Sequence, residues 1–371
     1  MDYFKDERIV LTLDAGGTNF VFSAIQSGKG LGQPISRQIK GLKLKEILVT
    51  MIDGFQQLNE NTKHQAVAIS FSFPGPADYK NGIIGDLQNI PEFRGGIALK
   101  AMLENEFKLP VYINNDGDLF ALGESMVGLL PEINSIFKQQ GSFRKFNNLL
   151  GVTLGTGYGA GIVHNEILFC GDNSASAEIN RFRNKLYPET SAEDSLTIRG
   201  IKRVYARESG LPIHQVPEPD LICKIGMGQS DGNQKAALKA FHELAVVAGD
   251  TLASATSLID GLIVIGGGLS GAHSLFIQSL VDEMNSNFIT LSSNRLSRME
   301  VRAFNLESTE ELKAFLENSE IKIKVPFSKQ EQIYDPIKKI GVGISKLGTS
   351  KATSIGAYAF ALNQLVKNIK K

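Results

Sequence analysis

The apolar positions of the chain fall into short β-branched runs divided by glycine turns and into longer segments with a helical repeat. Ile9 to Asp14 and Asn19 to Ile25 are two such runs, separated by Ala15-Gly16-Gly17-Thr18, and read as a hairpin with a glycine turn. Leu44, Ile47, Leu48, Met51, Ile52 and Phe55 recur at helical spacing, and Ala66 to Phe73 then reads as a strand stopped by Pro74-Gly75-Pro76. A second helix is expected over about 97 to 107. A short strand from Leu109 to Ile113 follows and ends at Asn114-Asn115-Asp116, with helical character resuming at Leu119. Asp116 therefore sits where a strand hands over to a helix.

Leu149 to Leu154, followed by Gly155-Thr156-Gly157-Tyr158-Gly159-Ala160-Gly161, copies the strand, glycine turn and strand of the N-terminus. This weak internal repeat implies two similar lobes. Residues 233–259 form an Ala-rich helical stretch that leads into the apolar strand Leu262 to Ile265, the turn Gly266-Gly267-Gly268 and a helix from about Ser274 to Met284. Residues from about 285 to 340 are more polar, lack a clear period and read as an insertion, and Ser354 to Leu365 closes the chain with an apolar helix. The expected fold class is α/β with two lobes, each a mixed sheet flanked by helices. One lobe comprises residues 1–122 with 355–371 and the other 123–354.

The length of 371 residues independently favours two domains over one. Lys plus Arg and Asp plus Glu are both 39, so no net field favours nucleic acid or an anionic membrane, and an anionic ligand must be held by local groups. A small-molecule partner is expected. Cys170 and Cys223 form no C-x-x-C pair, which excludes a disulfide framework and a thiolate zinc site by spacing and fits a reducing cytosol. The charged N-terminus runs directly into a strand and no apolar run reaches the roughly 18 residues of a membrane span, so a soluble, unprocessed, cytoplasmic protein is expected.

Backbone amides in a glycine turn can converge on phosphate oxygens without side chains in the way. Any one such turn is as readily a structural hairpin. Three of them, together with Asp14 and Asp116, could hold a triphosphate. Gly266, Gly268 and Gly271 match a dinucleotide fingerprint, but the acid that should close a second strand about 20 residues on is missing, because Asp282 and Glu283 lie inside the expected helix. No G-x-x-x-x-G-K-[ST] occurs, so the phosphates are not held by a P-loop lysine.

Asp14-Ala-Gly-Gly-Thr-Asn19, Pro74-Gly-Pro76, Asn114-Asn-Asp-Gly117 with Ala121-Leu-Gly-Glu124, Gly155-Thr-Gly-Tyr-Gly-Ala-Gly161, Ala177-Glu-Ile179 and Val264-Ile-Gly-Gly-Gly-Leu-Ser270 occur in this order. Their order and spacing resemble those of the ROK family of bacterial sugar kinases and sugar-responsive repressors. The resemblance spans nearly the whole chain except about 130–147 and 285–340. It implies the two-lobed, actin-like (ribonuclease H-like) ATPase fold, with ATP and Mg²⁺ as cofactors and a hexose, glucose by default, as substrate held in a cleft. Asp14 to Asn19 resembles the first phosphate turn, with Asp14 orienting a hydrated Mg²⁺ and Gly16, Gly17, Thr18 and Asn19 facing the γ-phosphate. Gly155, Thr156 and Gly157 are similar to the second phosphate loop, and Gly266, Gly267 and Gly268 to the adenosine turn. Asp116 matches the family's catalytic base, and Gly75, Asn89, Asn115, Asp116 itself, Glu178 and Glu193 its sugar contacts. A homodimer is compatible with the resemblance.

Two departures qualify it. After Glu178-Ile179 the family has Gly-His and a Cys-rich loop that binds a structural zinc, whereas Asn180-Arg181 stand here and Phe182 to Asp194 contains no Cys or His. Zinc is expected to be absent, the identity of the sugar is left open, and Arg181 either pairs with a nearby acid or recognises a substituent. The repressor branch carries a helix-turn-helix before the first turn, but only eight residues precede Ile9, so DNA binding is not expected. The alternative to a kinase is a catalytically weak sugar-sensing regulatory protein of the same fold.

Overall fold

The computed structural model describes residues 3–16, 18–75, 77–85 and 92–369. The chain divides into two compact units, Met1–Gly128 with Gly161–Ala177 and Leu347–Lys371, and Leu129–Ala160 with Glu178–Lys346.

In the first unit β1 (Ile9–Ala15), β2 (Asn19–Gln26) and β3 (Lys29–Gln38) form an antiparallel meander, and α1 (Leu44–Asn61) leads to β4 (Ala66–Ser72). A small antiparallel sheet of β5 (Ala77–Asp78), β6 (Ile83–Ile84) and β7 (Ile97–Ala98) precedes α2 (Leu99–Phe107), β8 (Val111–Asn114) and α3 (Asp116–Val127). The main sheet has the order β3-β2-β1-β4-β8, and β1, β4 and β8 run parallel. Its mostly aliphatic core includes a cluster of phenylalanines. Phe22 and Phe55 meet edge to face with centroids 5.1 Å apart, and Phe73 packs on Phe93 at the same separation, so the chain through Gly75 leaves a rigidly packed strand end.

The second unit begins with α4 (Leu129–Gln139), whose Leu129, Leu130, Ile133 and Phe137 are buried along one face. Then come β9 (Asn148–Leu154) and β10 (Tyr158–His164), which carries the chain back to the first unit at Gly161 and pairs there with β11 (Ile167–Leu168). After Glu178 the second unit continues through α5 (Ile198–Ser209), α6 (Pro219–Gly226), α7 (Gln234–Ile259), β12 (Leu262–Gly266) and α8 (Ile277–Met284). Every residue of β12 is buried, as a central parallel strand covered on both faces requires. The helix expected from Ser274 starts at Ile277, because Gly268–Leu275 winds as a tighter 3₁₀ segment.

The stretch read as an insertion is only partly one. Two hairpins, β13 (Asn287–Ile289) with β14 (Arg295–Ser297) and β16 (Ile321–Lys324) with β17 (Glu331–Tyr334), are sheets of their own. Between and after them, β15 (Arg302–Asn305), α9 (Thr309–Leu316) and β18 (Lys339–Ile344) belong to the body of the unit, with β12, β18 and β15 adjacent and parallel. A four-residue strand is too short to show a period, which is why β15 escaped the sequence pattern.

Finally α10 (Thr349–Ile369) returns to the first unit and packs on α3, β1, β4 and β8. Gly123 and Gly356 permit this approach, since a Cβ at either would collide with a carbonyl of the facing helix, Ala352 and Leu119 respectively. Among the described residues no helix is long and apolar enough to cross a membrane.

Candidate active site

In the first unit the parallel register aligns Asp14 with Ser72 and Ser72 with Asn114. The chain thus leaves β1, β4 and β8 at one edge of the sheet, the carboxyl edge where open α/β sheets bind ligands. From β1 the exit is a tight turn in which the Gly16 N–H donates to the Asn19 carbonyl at 3.1 Å, and the Thr18 carbonyl accepts from Ile39 N–H at 2.9 Å. Thr18 and Asn19 are exposed, as is Gly16. Gly17 lies outside the described residues, and so does Asn89.

From β8 the exit is the start of α3. Asn115 caps the helix, its Oδ1 accepting the Gly117 N–H at 2.8 Å, and Asp116 Oδ1 accepts the same N–H at 2.9 Å. The Asn115 amide is oriented from its other end: Nδ2 donates to the Tyr79 hydroxyl at 3.3 Å, which itself donates to the Phe73 carbonyl at 2.9 Å. Gly75 completes the group, because a Cβ there would stand 2.9 Å from the Tyr79 hydroxyl. Tyr79 was not among the sequence candidates. Its only signal was an aromatic residue just after Pro74-Gly75-Pro76, and that does not distinguish an orienting hydroxyl from core packing.

Asp116 is open to solvent along its own surface but crowded by surrounding protein atoms. This desolvation pushes its carboxyl above the ordinary 3.8, the Gly117 N–H pulls it back, and the negative charge of Asp14 pushes it up further.

In the second unit the Gly155 and Gly266 turns close two neighbouring parallel strands, with Thr153 opposite Gly266. Gly155 N–H donates to Gly157 O at 3.0 Å, and Ile198 N–H to Gly155 O at 2.9 Å, which fixes the first turn against α5. Gly267 has φ +87°, and a Cβ on it would collide with the Leu154 carbonyl oxygen, so only glycine fits where the second turn crosses the first strand. A Cβ at Gly155 would lie 3.8 Å from the Gly268 nitrogen, and no heavy atom comes near the Cβ position of Gly268, so the turns adjoin in open space. Exposed Thr156 and Gly157 stand beside them. The exposed Thr156 and Gly157 and the open space at Gly268 leave room for phosphate oxygens.

Glu193 joins this second group. Its Oε2 accepts the Tyr158 N–H at 3.3 Å and lies 3.7 Å from the Cβ position of Gly157, with Arg199 at 3.8 Å from Oε1. Glu178, which precedes the 3₁₀ turn Ile179–Arg181, and Arg181, which ends it, are exposed and lie at a distance in sequence from either group. Among the described residues no three His, Cys, Asp or Glu side chains stand together as ligands of one metal ion.

Two units, each with parallel strands that open at glycine turns and the first with paired aspartates at its strand ends, define the actin-like ATPase class. Within it, the model of the ROK family matches residues 10–183. The crystal structure of a glucokinase from Parabacteroides distasonis is 47% identical, covers 98% of this chain and 99% of its own, and superposes with a TM-score of 0.88. A glucokinase of Halalkalibacterium halodurans is 27% identical over 295 residues, 74% of this chain and 84% of its own. An N-acetyl-D-glucosamine kinase of Yersinia pseudotuberculosis is 27% identical over 251 residues, 63% of this chain and 74% of its own. The chain belongs to the ROK family.

Proposed function

We propose that this protein is a cytoplasmic sugar kinase that transfers the γ-phosphoryl group of ATP to a hydroxyl of a hexose, with glucose the first candidate. The observation that carries the reading is the placement of Asp14 and Asp116 at the carboxyl edge of one sheet, with the Asp116 carboxyl pushed up by the protein atoms crowded around it and by the charge of Asp14. A carboxylate of raised pKa is a stronger base. Phosphoryl transfer passes through a loose transition state, so positioning and charge neutralisation dominate and one carboxylate suffices to take the hydroxyl proton. Asp116 takes that role, and Asn115, fixed by Tyr79, holds the sugar beside it.

The exposed Thr156 and Gly157 and the open space at Gly268 leave room for a triphosphate and adenosine, and exposed Gly16, Thr18 and Asn19 would face the γ-phosphate. Asp14 fits a hydrated Mg²⁺, which when bound offsets the phosphate charge. The glucokinase and N-acetyl-D-glucosamine kinase relatives support the substrate class, and the substitution of Asn180-Arg181 leaves the choice among hexoses to experiment. A coupled assay with Mg-ATP over glucose, mannose, fructose and N-acetylated hexosamines tests it. Saturable turnover on one hexose is expected. Sugar binding without turnover on any would instead favour a sugar-sensing regulator, the reading that the same Asn180-Arg181 departure supports.

A further inference from the structure

The loop between Glu178 and α5 contains one fully buried amide whose every hydrogen-bonding position is used. Asn184 is 0% exposed. Its Nδ2 donates to Ser191 O at 3.2 Å and to Ser195 Oγ at 2.8 Å, while Oδ1 accepts from Leu186 N–H at 3.0 Å and Tyr187 N–H at 3.1 Å. An asparagine side chain has two donor hydrogens and two acceptor lone pairs, so no capacity is left over. The backbone joins in, with Asn184 N–H on Thr190 O at 3.0 Å and Ala192 N–H on Phe182 O at 2.7 Å. The loop is thereby drawn shut around one residue.

What the closed loop presents is Glu193, in the 3₁₀ turn Ala192–Asp194 immediately after the knot. Its carboxylate rests on the Tyr158 N–H beside the Gly155 turn. A carboxylate next to an anion-binding turn is useful only if fixed, because a small drift toward the Thr156 and Gly157 amides would make it compete with phosphate. The far side of the loop is clasped too: the Tyr187 hydroxyl donates to Glu243 on α7 at 3.0 Å, and Arg207 on α5 bridges both residues. The clasp anchors the apex, and the Asn184 bonds to Ser191 and Ser195 fall on either side of Glu193 in the chain.

We propose that Asn184 is a positioning residue, holding Glu193 against the second phosphate turn through a saturated, buried hydrogen-bond knot. The proposal rests on the kinase reading above for its functional consequence, but its structural half can be measured without turnover. Asn184→Ala, Glu193→Gln and their combination should be compared with the wild type in three measurements: kcat/KM for the preferred sugar, calorimetric affinity for a non-hydrolysable ATP analogue with Mg²⁺, and hydrogen exchange at the Tyr158 amide. A misplacement of about an ångström caused away from the reacting atoms can lower rates on the order of 10²-fold, and a fall of that size in kcat/KM is expected for Asn184→Ala. Since Asn184 acts through Glu193, the double variant should lie within about twofold of Glu193→Gln alone, and Tyr158 should exchange faster in Asn184→Ala. Should Asn184→Ala fail to fold, Ser195→Ala removes one partner of the knot and should shift the same readouts in the same direction by about fivefold. Effects that multiply in the double variant, or a Tyr158 amide as protected in the variants as in the wild type, would overturn the proposal. A wild type that phosphorylates no sugar would refute the kinase reading, and the exchange and nucleotide titrations would still decide whether Asn184 positions Glu193.

Discussion

At the scale of single residues, Asp116 carries the sharpest expectations. Asp116→Asn keeps the shape at the start of α3 and removes the proton acceptor, and losing a positioned base costs on the order of 10²- to 10⁴-fold in kcat. Sugar affinity should change little, because the Asn115 contacts do not depend on the Asp116 charge. The same variant has a stability signature of the opposite sign. A carboxyl whose pKa is raised by folding binds more protons in the native than in the unfolded state as pH climbs from the ordinary value toward the folded one, so stability falls across that window. Above it the wild type carries the cost of an ionised, crowded carboxylate next to Asp14, and the Asn variant does not. Thermal denaturation should give Asp116→Asn a Tm equal to or above that of the wild type at pH 7, with the gap closing in acid below 3.8. A Tm well below the wild type at pH 7 would show that the carboxylate is needed for structure rather than chemistry. The acid limb of kcat/KM should likewise lie above the usual carboxylate value.

At the scale of elements, Gly267 is the position with least freedom. With φ +87° and the Leu154 carbonyl where a Cβ would go, Gly267→Ala must displace one strand end against another. A cost of about 1 to 3 kcal/mol in stability is expected. The displaced turn should also weaken nucleotide binding, whereas sugar binding to the first unit should be spared, and separate titrations with nucleotide analogue and sugar check the split. This turn was legible in the sequence because a fully apolar strand ran into three glycines, and the hairpin at Asp14 to Asn19 was legible for the same reason. The Asn184 knot was not. A lone Asn in a polar tract has the same composition whether it is solvated or saturated by its own loop, and only the folded backbone distinguishes them. β15 and β18 were missed because flanking hairpins with exposed strands diluted any period, although Lys339 to Ile344 is almost wholly buried. Tyr79 and the Glu193 to Tyr158 contact needed three dimensions, since each joins residues with no common spacing rule.

At the scale of the whole molecule, residues 182–195 are closed by side-chain and backbone hydrogen bonds where the resemblance would place a metal-bound loop. We expect the folded protein to be independent of zinc. Elemental analysis of tag-free protein should find substoichiometric zinc, and a chelator should leave the Tm unchanged. One firmly held zinc per chain would overturn this.

The return of the chain to its first unit sets a second whole-molecule requirement. That unit is assembled from three separated segments, and its last contribution is α10. Ile355, Tyr358 and Leu362 of this helix are buried, and the Tyr358 hydroxyl donates to Asp6 O at 2.9 Å while accepting the Ser27 N–H at 3.1 Å. Tyr3 reaches the same helix through Asn363 at 2.7 Å. Burying one large apolar side chain is worth about 1.5 to 3 kcal/mol, so these three alone amount to roughly 5 to 9 kcal/mol. That is the size of the entire net stability of a typical domain, about 5 to 15 kcal/mol. Truncation after Lys346 would also expose the glycine-lined face of α3, whose first residue is Asp116. A chain ending there should be insoluble or should lose the cooperative unfolding of the first unit, and supplying residues 347–371 as a separate peptide should restore part of it. If the truncated protein instead unfolds with an undiminished Tm and keeps its affinity for sugar, α10 does not support the α3 end of the site and the packing argument made for Gly123 and Gly356 fails with it.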